Sequence, residues 1–264
     1  MAAPKTVMAA TWFTAADEAI AVIQFNRPQV KNAMSDALYT EITALLRYYA
    51  AKESVLAVVL TGAGDYFTSG MDLTDVPSAV PSQGASHKLM HAILEHPKIL
   101  VAAVNGHAIG IGVTMLVHCD VVFAAESATF MTPFMRVGIV PEFGSSYTFP
   151  AILGPALAND MLLRSKRITS ATALQKGLVN EVLPVNGFLN AVLADVSDMV
   201  SQPCAPESLL TFKRVIKANT SVDKSKVLAA IKREYIDIDE RFESGYIFEA
   251  AIKVQQAKSR KSKL

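Results

Sequence analysis

Several things are scarce in this chain of 264 residues, and each scarcity excludes something. There are two cysteines, Cys119 and Cys204, and neither stands in a C-x-x-C pair. A disulfide framework or a cysteine-based metal site is therefore disfavoured, and a reducing compartment is expected. Neither sign of charge is in excess: 25 Lys and Arg against 24 Asp and Glu leave a net charge of +1. The chain thus lacks the electrostatic footprint of a nucleic-acid binder or of a protein held on an anionic membrane. No G-x-G-x-x-G and no P-loop occurs, so no dinucleotide or ATP phosphate cradle is indicated. His87 and His91 lie four residues apart but lack the H-E-x-x-H glutamate, which argues against zinc. The first residues, MAAPKTVMAATWF, carry no Arg-rich amphipathic pattern and no long apolar run, so no signal or transit peptide is expected.

What is abundant is apolar. Such residues make up 51% of the chain and charged ones 19%, enough for a sizeable core in one large domain or two small ones. The apolar run ILVAAVNGHAIGIGVTMLVHC, residues 99–119, has the length of a membrane span, but Asn105, His107 and three glycines interrupt it. A strand, a turn and a short buried helix fit it better.

The pattern predicts strands over 19–26, 55–62, 98–104 and 120–125, without hairpin signals between them. Helices are expected over 36–52, where Leu38, Ile42, Leu45, Leu46 and Tyr49 form one stripe, over 87–96 before Pro97, and over 113–119. Residues 74–86, with Pro77 and Pro81, read as a connection. Strands alternating with helices imply an α/β chain with crossover connections. From about residue 155 the segments read as helices, including 156–168. The expected division is a core over 1–200 and a helical region over 201–264. Lys213, Arg214 and Lys217 of TFKRVIK read as a solvated helix face or as contacts for an anionic ligand.

Two features could carry chemistry. The turns TSGMDL and AIGIGVT each follow an apolar strand, and glycine there clears space beside a peptide N–H. Two such N–H groups aimed at one carbonyl would make an oxyanion hole, though strand–helix turns containing glycine are common. The other feature is Glu142, a lone acid among Val140, Pro141 and Phe143. Partial desolvation there would raise its proton affinity and suit it to act as a base. On physical grounds alone, an exposed loop glutamate is the simpler account of the position.

The stretches FNRPQVKNAM, VVLTGAGDYFTSGMDL, AAVNGHAIGIGVTMLVHCDVVFAAESATFMTPFMRVGIVPEFGSS and ALQKGLVNEVL, taken in order, resemble the crotonase (enoyl-CoA hydratase/isomerase) superfamily. The resemblance spans roughly residues 15–200. It implies a spiral of ββα units with a helical C-terminal trimerisation region, acyl-CoA thioester substrates, and homotrimers or dimers of trimers. It also assigns the oxyanion donors to the N–H groups of Met71, after Gly70, and of Ile111, after Gly110. Lys31, Ala63, Gly64 and Asp65 are implied beside the nucleotide portion of coenzyme A, which enters as part of the substrate; no separate cofactor and no metal is implied. Hydratases of the family carry two glutamates where this chain has Thr114 and Phe134, and neither replacement can add water. Glu142 occupies the place of the catalytic glutamate of the peroxisomal Δ3,Δ2-enoyl-CoA isomerase branch. The resemblance therefore implies an isomerase, the alternatives being a hydratase or other acyl-CoA enzyme of this fold, or a non-catalytic acyl-CoA-binding module. Asn105, Ser145 and Ser146 are candidates to orient Glu142. The final Ser262, Lys263 and Leu264 form the tripeptide that a peroxisomal import receptor reads, in a peroxisome or a related organelle such as a glycosome. The tail KSRKSKL also reads simply as solvated and basic.

Overall fold

The computed structural model describes residues 7–12, 19–75, 79–220, 222–247, 249, 250, 252, 253 and 256. Ser262, Lys263 and Leu264 lie outside the described residues. In chain order the strands are β1 Val7–Trp12, β2 Ile20–Phe25, β3 Ala57–Gly62, β4 Tyr66–Thr68, β5 Ile99–Val104, β6 His107–Ile109, β7 Val121–Ala125, β8 Thr129–Met131, β9 Ile168–Thr169 and β10 Glu181–Leu183. The α-helices are α1 Asp36–Ala51, α2 Ala85–Leu94, α3 Ile111–Thr114, α4 Phe134–Val137, α5 Ser145–Leu153, α6 Pro155–Leu162, α7 Ser170–Gln175, α8 Phe188–Val200, α9 Ala205–Asn219 and α10 Lys224–Glu243.

The unit that repeats is two strands and a helix. β3, β5 and β7 lie side by side in a six-stranded sheet of order β1-β2-β3-β5-β7-β10, parallel throughout except for β1. After each comes a three-residue strand, β4, β6 or β8, in a second sheet of order β4-β6-β8-β9. The helices α2, α3 and α4 follow in turn. This is the α/β spiral of ββα units that the sequence resemblance implied.

The long runs of apolar residues in β2, β3 and β5 are explained by burial on both faces, as parallel sheets require. Val58, Leu60, Leu100, Ala102 and Val104 pack with α1 and α2 residues such as Leu46 and Ile93 in one core. Their alternating neighbours Ala57, Val59, Val101 and Ala103 face the other way, against Val192 and Val196 of α8. Each of the larger side chains contributes about 1.5–3 kcal/mol by leaving water. The stripe expected on α1 is real: Leu38, Ile42, Leu46 and Tyr49 are buried, and Ser35 caps the helix through the Leu38 N–H at 3.3 Å.

Some expectations fail locally. The helix expected over 113–119 is the shorter α3 followed by a 3₁₀ turn, Leu116–His118. The helix expected over 156–168 stops at Leu162. Arg164 and Lys166 there turn back to Asp160, Ser165 adopts φ 51°, and Ile168 joins β9 beside Phe130. TFKRVIK is not simply a solvated face. The Lys213 side chain is 8% exposed; its ammonium donates to the Lys98 carbonyl at 2.6 Å and sits 2.7 Å from Asp120. Lys217 joins the same carboxylate at 3.1 Å. The ion pairs pin α9 to the start of β7, and the Lys98 carbonyl ties it to the start of β5. No helix among the described residues is long and apolar enough to cross a membrane.

Candidate active site

The two glycine turns meet. A Cβ on Gly70 would lie 2.9 Å from the Ile109 carbonyl oxygen and 3.7 Å from Cα of Gly110. The close approach, with φ of 81° at Gly70 and 58° at Gly110, demands glycine at both positions. Thr68 sets the first turn: its hydroxyl donates to the Asn32 carbonyl at 2.7 Å and accepts the Gly70 N–H at 3.0 Å. Around Met71, the Met34 N–H donates to the Gly70 carbonyl and the Asp72 N–H to the Met34 carbonyl. At the second turn, the Val113 and Thr114 N–H groups donate back to the Gly110 carbonyl, and Ile111 begins α3. The N–H groups of Met71 and Ile111 donate to no partner in the backbone network of the described residues, as expected for a helix start and a strand turned outward.

Both turns open onto one cleft, which holds about 1250 Å³ of empty space, solvent at its mouth included. Gly70, Met71, Gly110, Ile111, Phe134 and Glu142 all line it. Glu142 therefore does not sit in a solvated loop. It is partly buried, and burial, reinforced by the nearby Glu234 carboxylate, pushes its carboxyl up to about 8. Tyr39 of α1 and Tyr235 of α10 share the cleft, and the ionised form of each is disfavoured by burial and then by the charge of Glu142. Ile238 and Phe242 of α10 add an apolar wall.

Glu142 is delivered by a strained loop. Phe143 has φ 59° and Gly144 has φ 73°, two successive left-handed residues immediately before α5. A non-glycine residue there costs about 1 kcal/mol or more, so the surroundings must hold it. They do. Phe143 is fully buried against the His118 ring, 4.3 Å between centroids, and its carbonyl accepts the His118 Nε2–H at 2.9 Å. Burial keeps that imidazole neutral, lowering it to about 4. Glu234, from α10, accepts the Gly144 N–H at 2.7 Å and the Ser146 N–H at 2.9 Å.

The remaining sequence candidates fall in different places. Thr114 is fully buried in α3, away from the cleft, whereas Phe134 is a cleft wall only 4% exposed. Phe143 packs in the core rather than in the cleft. Asn105 is not beside Glu142: it accepts the Gly62 N–H at 2.9 Å and donates to the Gly64 carbonyl at 2.7 Å, shaping the turn that carries Ala63, Gly64 and Asp65. That turn and the exposed Lys31 flank Tyr66, with the Lys31 ammonium 5.2 Å from the ring centroid. The Lys31 carbonyl accepts the Ser69 N–H at 2.9 Å, so this face adjoins the first glycine turn. Ser146 reaches Glu234 rather than Glu142, and the Ser145 hydroxyl is buried without a partner. No cluster of three or more His, Cys, Asp or Glu able to hold a metal occurs among the described residues.

Sequence reasoning missed Glu234 and Asn32. Asn32, at φ 54°, donates to the Ala63 and Tyr66 carbonyls at 2.9 and 2.7 Å and ties the turn between β3 and β4 to the segment before α1. An Asn following FNRPQVK was visible as a residue tolerant of left-handed backbone. Glu234 sits in a helix rich in charge, KREYIDIDERFE, where no local signal separates it from its exposed neighbours.

Residues 15–248 match the family model described as enoyl-CoA hydratase/isomerase. The chain is 39% identical over 216 residues to human enoyl-CoA delta isomerase 2, covering 78% of this chain and 54% of that one. It is 41% identical over 180 residues to the peroxisomal enoyl-CoA delta isomerase 3 of Mus musculus, covering 65% and 56%. It thus spans about half the length of these curated relatives. Among solved structures, an enoyl-CoA hydratase/isomerase from Pseudoalteromonas atlantica superposes with a TM-score of 0.85 at 34% identity, covering 96% of this chain and 98% of that one.

Proposed function

The chain belongs to the enoyl-CoA hydratase/isomerase family, and we propose that within it this protein is a Δ3,Δ2-enoyl-CoA isomerase. The observation that carries the reading is the cleft itself, where Glu142, a carboxylate whose proton affinity burial raises, shares the space with the glycine turns that present the Met71 and Ile111 N–H groups. The substrate is a cis- or trans-3-enoyl-CoA and the product is trans-2-enoyl-CoA, as needed in β-oxidation of unsaturated fatty acids.

Ionised Glu142 takes a proton from C2, which the thioester acidifies. The electron pair spreads into a dienolate whose oxygen accepts from the Met71 and Ile111 N–H groups. Glu142, now protonated, returns the proton to C4. A carboxyl near 8 suits both halves, since it is basic enough to remove the proton and acidic enough to give it back. Each N–H donor contributes roughly 3 kcal/mol to lowering the barrier. Phe134 keeps the cleft dry, which protects the dienolate and disfavours hydration. This scheme uses no metal and no redox cofactor. Lys31 and the Ala63–Gly64–Asp65 turn are assigned to the nucleotide end of coenzyme A. A peroxisomal or glycosomal location through Ser262, Lys263 and Leu264, assembly as a homotrimer or a dimer of trimers, and a core over 1–200 followed by a helical region belong to the same proposal.

The test is to give the purified protein a 3-enoyl-CoA and, separately, a 2-enoyl-CoA. Conversion of the first to the conjugated thioester, with negligible hydration of the second, supports the reading. Hydration without isomerisation makes it a hydratase despite Thr114 and Phe134. Binding of acyl-CoA without either reaction makes it a binding module.

A further inference from the structure

The mechanism leaves one buried carboxylate without a role. Glu234 is 5% exposed, on the inner face of α10. Its Oε2 accepts the Gly144 N–H at 2.7 Å; its Oε1 accepts the Ser146 N–H at 2.9 Å and the Ser146 hydroxyl at 2.6 Å. All three donors lie within four residues of Glu142, and Ser145 donates its N–H to the Glu142 carbonyl at 3.1 Å. α10 presses on the same spot, since a Cβ on Gly144 would lie 3.1 Å from the Val227 side chain. The three donors, two of them backbone N–H groups at the start of the nine-residue α5, favour the anion at Glu234, while burial outweighs them and raises its carboxyl above the ordinary value.

We propose that Glu234 is a positioning residue for the isomerisation: it fixes the left-handed loop that carries Glu142, and it holds a buried carboxylate against that loop, two residues along the chain from the base. The proposal rests on Glu142 being that base. The charge makes a second anion at Glu142 costly, so protonated Glu142 persists long enough to reprotonate C4. The other groups around the pair are Tyr39 from α1, Tyr235 from α10 and Arg233 beside Glu234; Asp36, Asp72 and Asp75 line the same cleft. Neither tyrosine ionises in the working range, because burial raises both. His118 supports the same loop from the opposite side without charge, which separates the mechanical role from the electrostatic one.

The experiment is the pH profile of kcat and KM for 3-enoyl-CoA isomerisation in the wild type, Glu234→Gln and Ser146→Ala, with Glu142→Gln beside them. Glu234→Gln removes the charge and the Gly144 contact. We expect kcat to fall by roughly 10–100-fold with KM within about threefold, and the low-pH limb to move down by on the order of half a pH unit or more. Ser146→Ala loses one donor and keeps the charge, so its limb stays at the wild-type position. A Glu234→Gln protein with the wild-type limb overturns the proposal, even if its rate and melting temperature fall, because a purely structural residue behaves that way. Should Glu234→Gln fail to fold, the neutral Glu234→Ala is read in the same way: a limb moved down supports the proposal, and a limb at the wild-type position overturns it. Glu142→Gln separates the two levels. If that variant is inactive while the Glu234→Gln limb is unmoved, the positioning inference fails and the base assignment stands; if it is fully active, the base assignment itself fails.

Discussion

Replacing Glu142 by glutamine should stabilise the protein at alkaline pH while abolishing its chemistry. The carboxyl has an ordinary value of 4.5 and is pushed up to about 8 by burial and by Glu234. Between those values the folded protein holds a proton that the unfolded chain has released. Stability from this group is therefore fully present below about pH 4.5, and it is lost progressively as pH rises toward about 8. The interval of about 3.5 units, at about 1.4 kcal/mol each, gives about 5 kcal/mol. Solvent at the mouth of the cleft screens part of this, leaving an expected loss of roughly 2–5 kcal/mol. Glutamine is neutral at every pH and close in shape, so the variant escapes the loss. Urea denaturation of both proteins at about pH 5, 6, 7 and 8.5 isolates the effect, because every other titrating group is shared and cancels in the difference. The two should be nearly equal at about pH 5 and diverge steadily in favour of Glu142→Gln. A difference that stays constant across the range would refute the claim that Glu142 sits in a site that penalises its charge.

Other consequences follow from the same geometry. Isomerase kcat/KM should rise with pH and level off above about 8, since the base must be ionised; a limb near 4.5 would mean an ordinary solvated glutamate. Gly70→Ala sets a methyl 2.9 Å from the Ile109 carbonyl at φ 81°, and should lower kcat by ~10²–10³-fold by moving the Met71 N–H, with a lowered melting temperature because the clash is with backbone. Asn32→Ala removes two donors to the Ala63 and Tyr66 carbonyls and an acceptor for the Arg27 N–H; the urea midpoint should report a loss of about 2–4 kcal/mol. Lys213→Ala leaves Asp120 inside the fold with the Leu100 N–H and the more exposed Lys217, and calorimetry should register a destabilisation of about 3 kcal/mol.

The large elements were legible because periodicity reports burial directly. The stripe of α1 and the double-faced runs of β3 and β5 need no tertiary information to be recognised. The short strands β4, β6 and β8 were invisible, since three residues cannot display a period of two, and two of them lie in stretches that read as turns. Helix length failed where tertiary pairing overrode propensity, as at Ile168, which pairs from β9 with Phe130 of β8 rather than extending α6. Residues 70, 71, 110, 111 and 142 were identified through the resemblance, and by physics alone each had an ordinary explanation. What brings these positions together is the meeting of two turns some forty residues apart, and that is a fact of topology. The supports of the loop, His118 and Glu234, come from distant segments and act through the backbone of residues 143–146, so no motif announces them.

The central claim is that a single carboxylate moves the proton, and Glu142→Gln tests it most directly. Isomerisation of a 3-enoyl-CoA should fall by at least ~10²–10⁴-fold, with acyl-CoA affinity and fold retained. A Glu142→Gln protein that isomerises at the wild-type rate would contradict the account and send the search for the base elsewhere in the cleft.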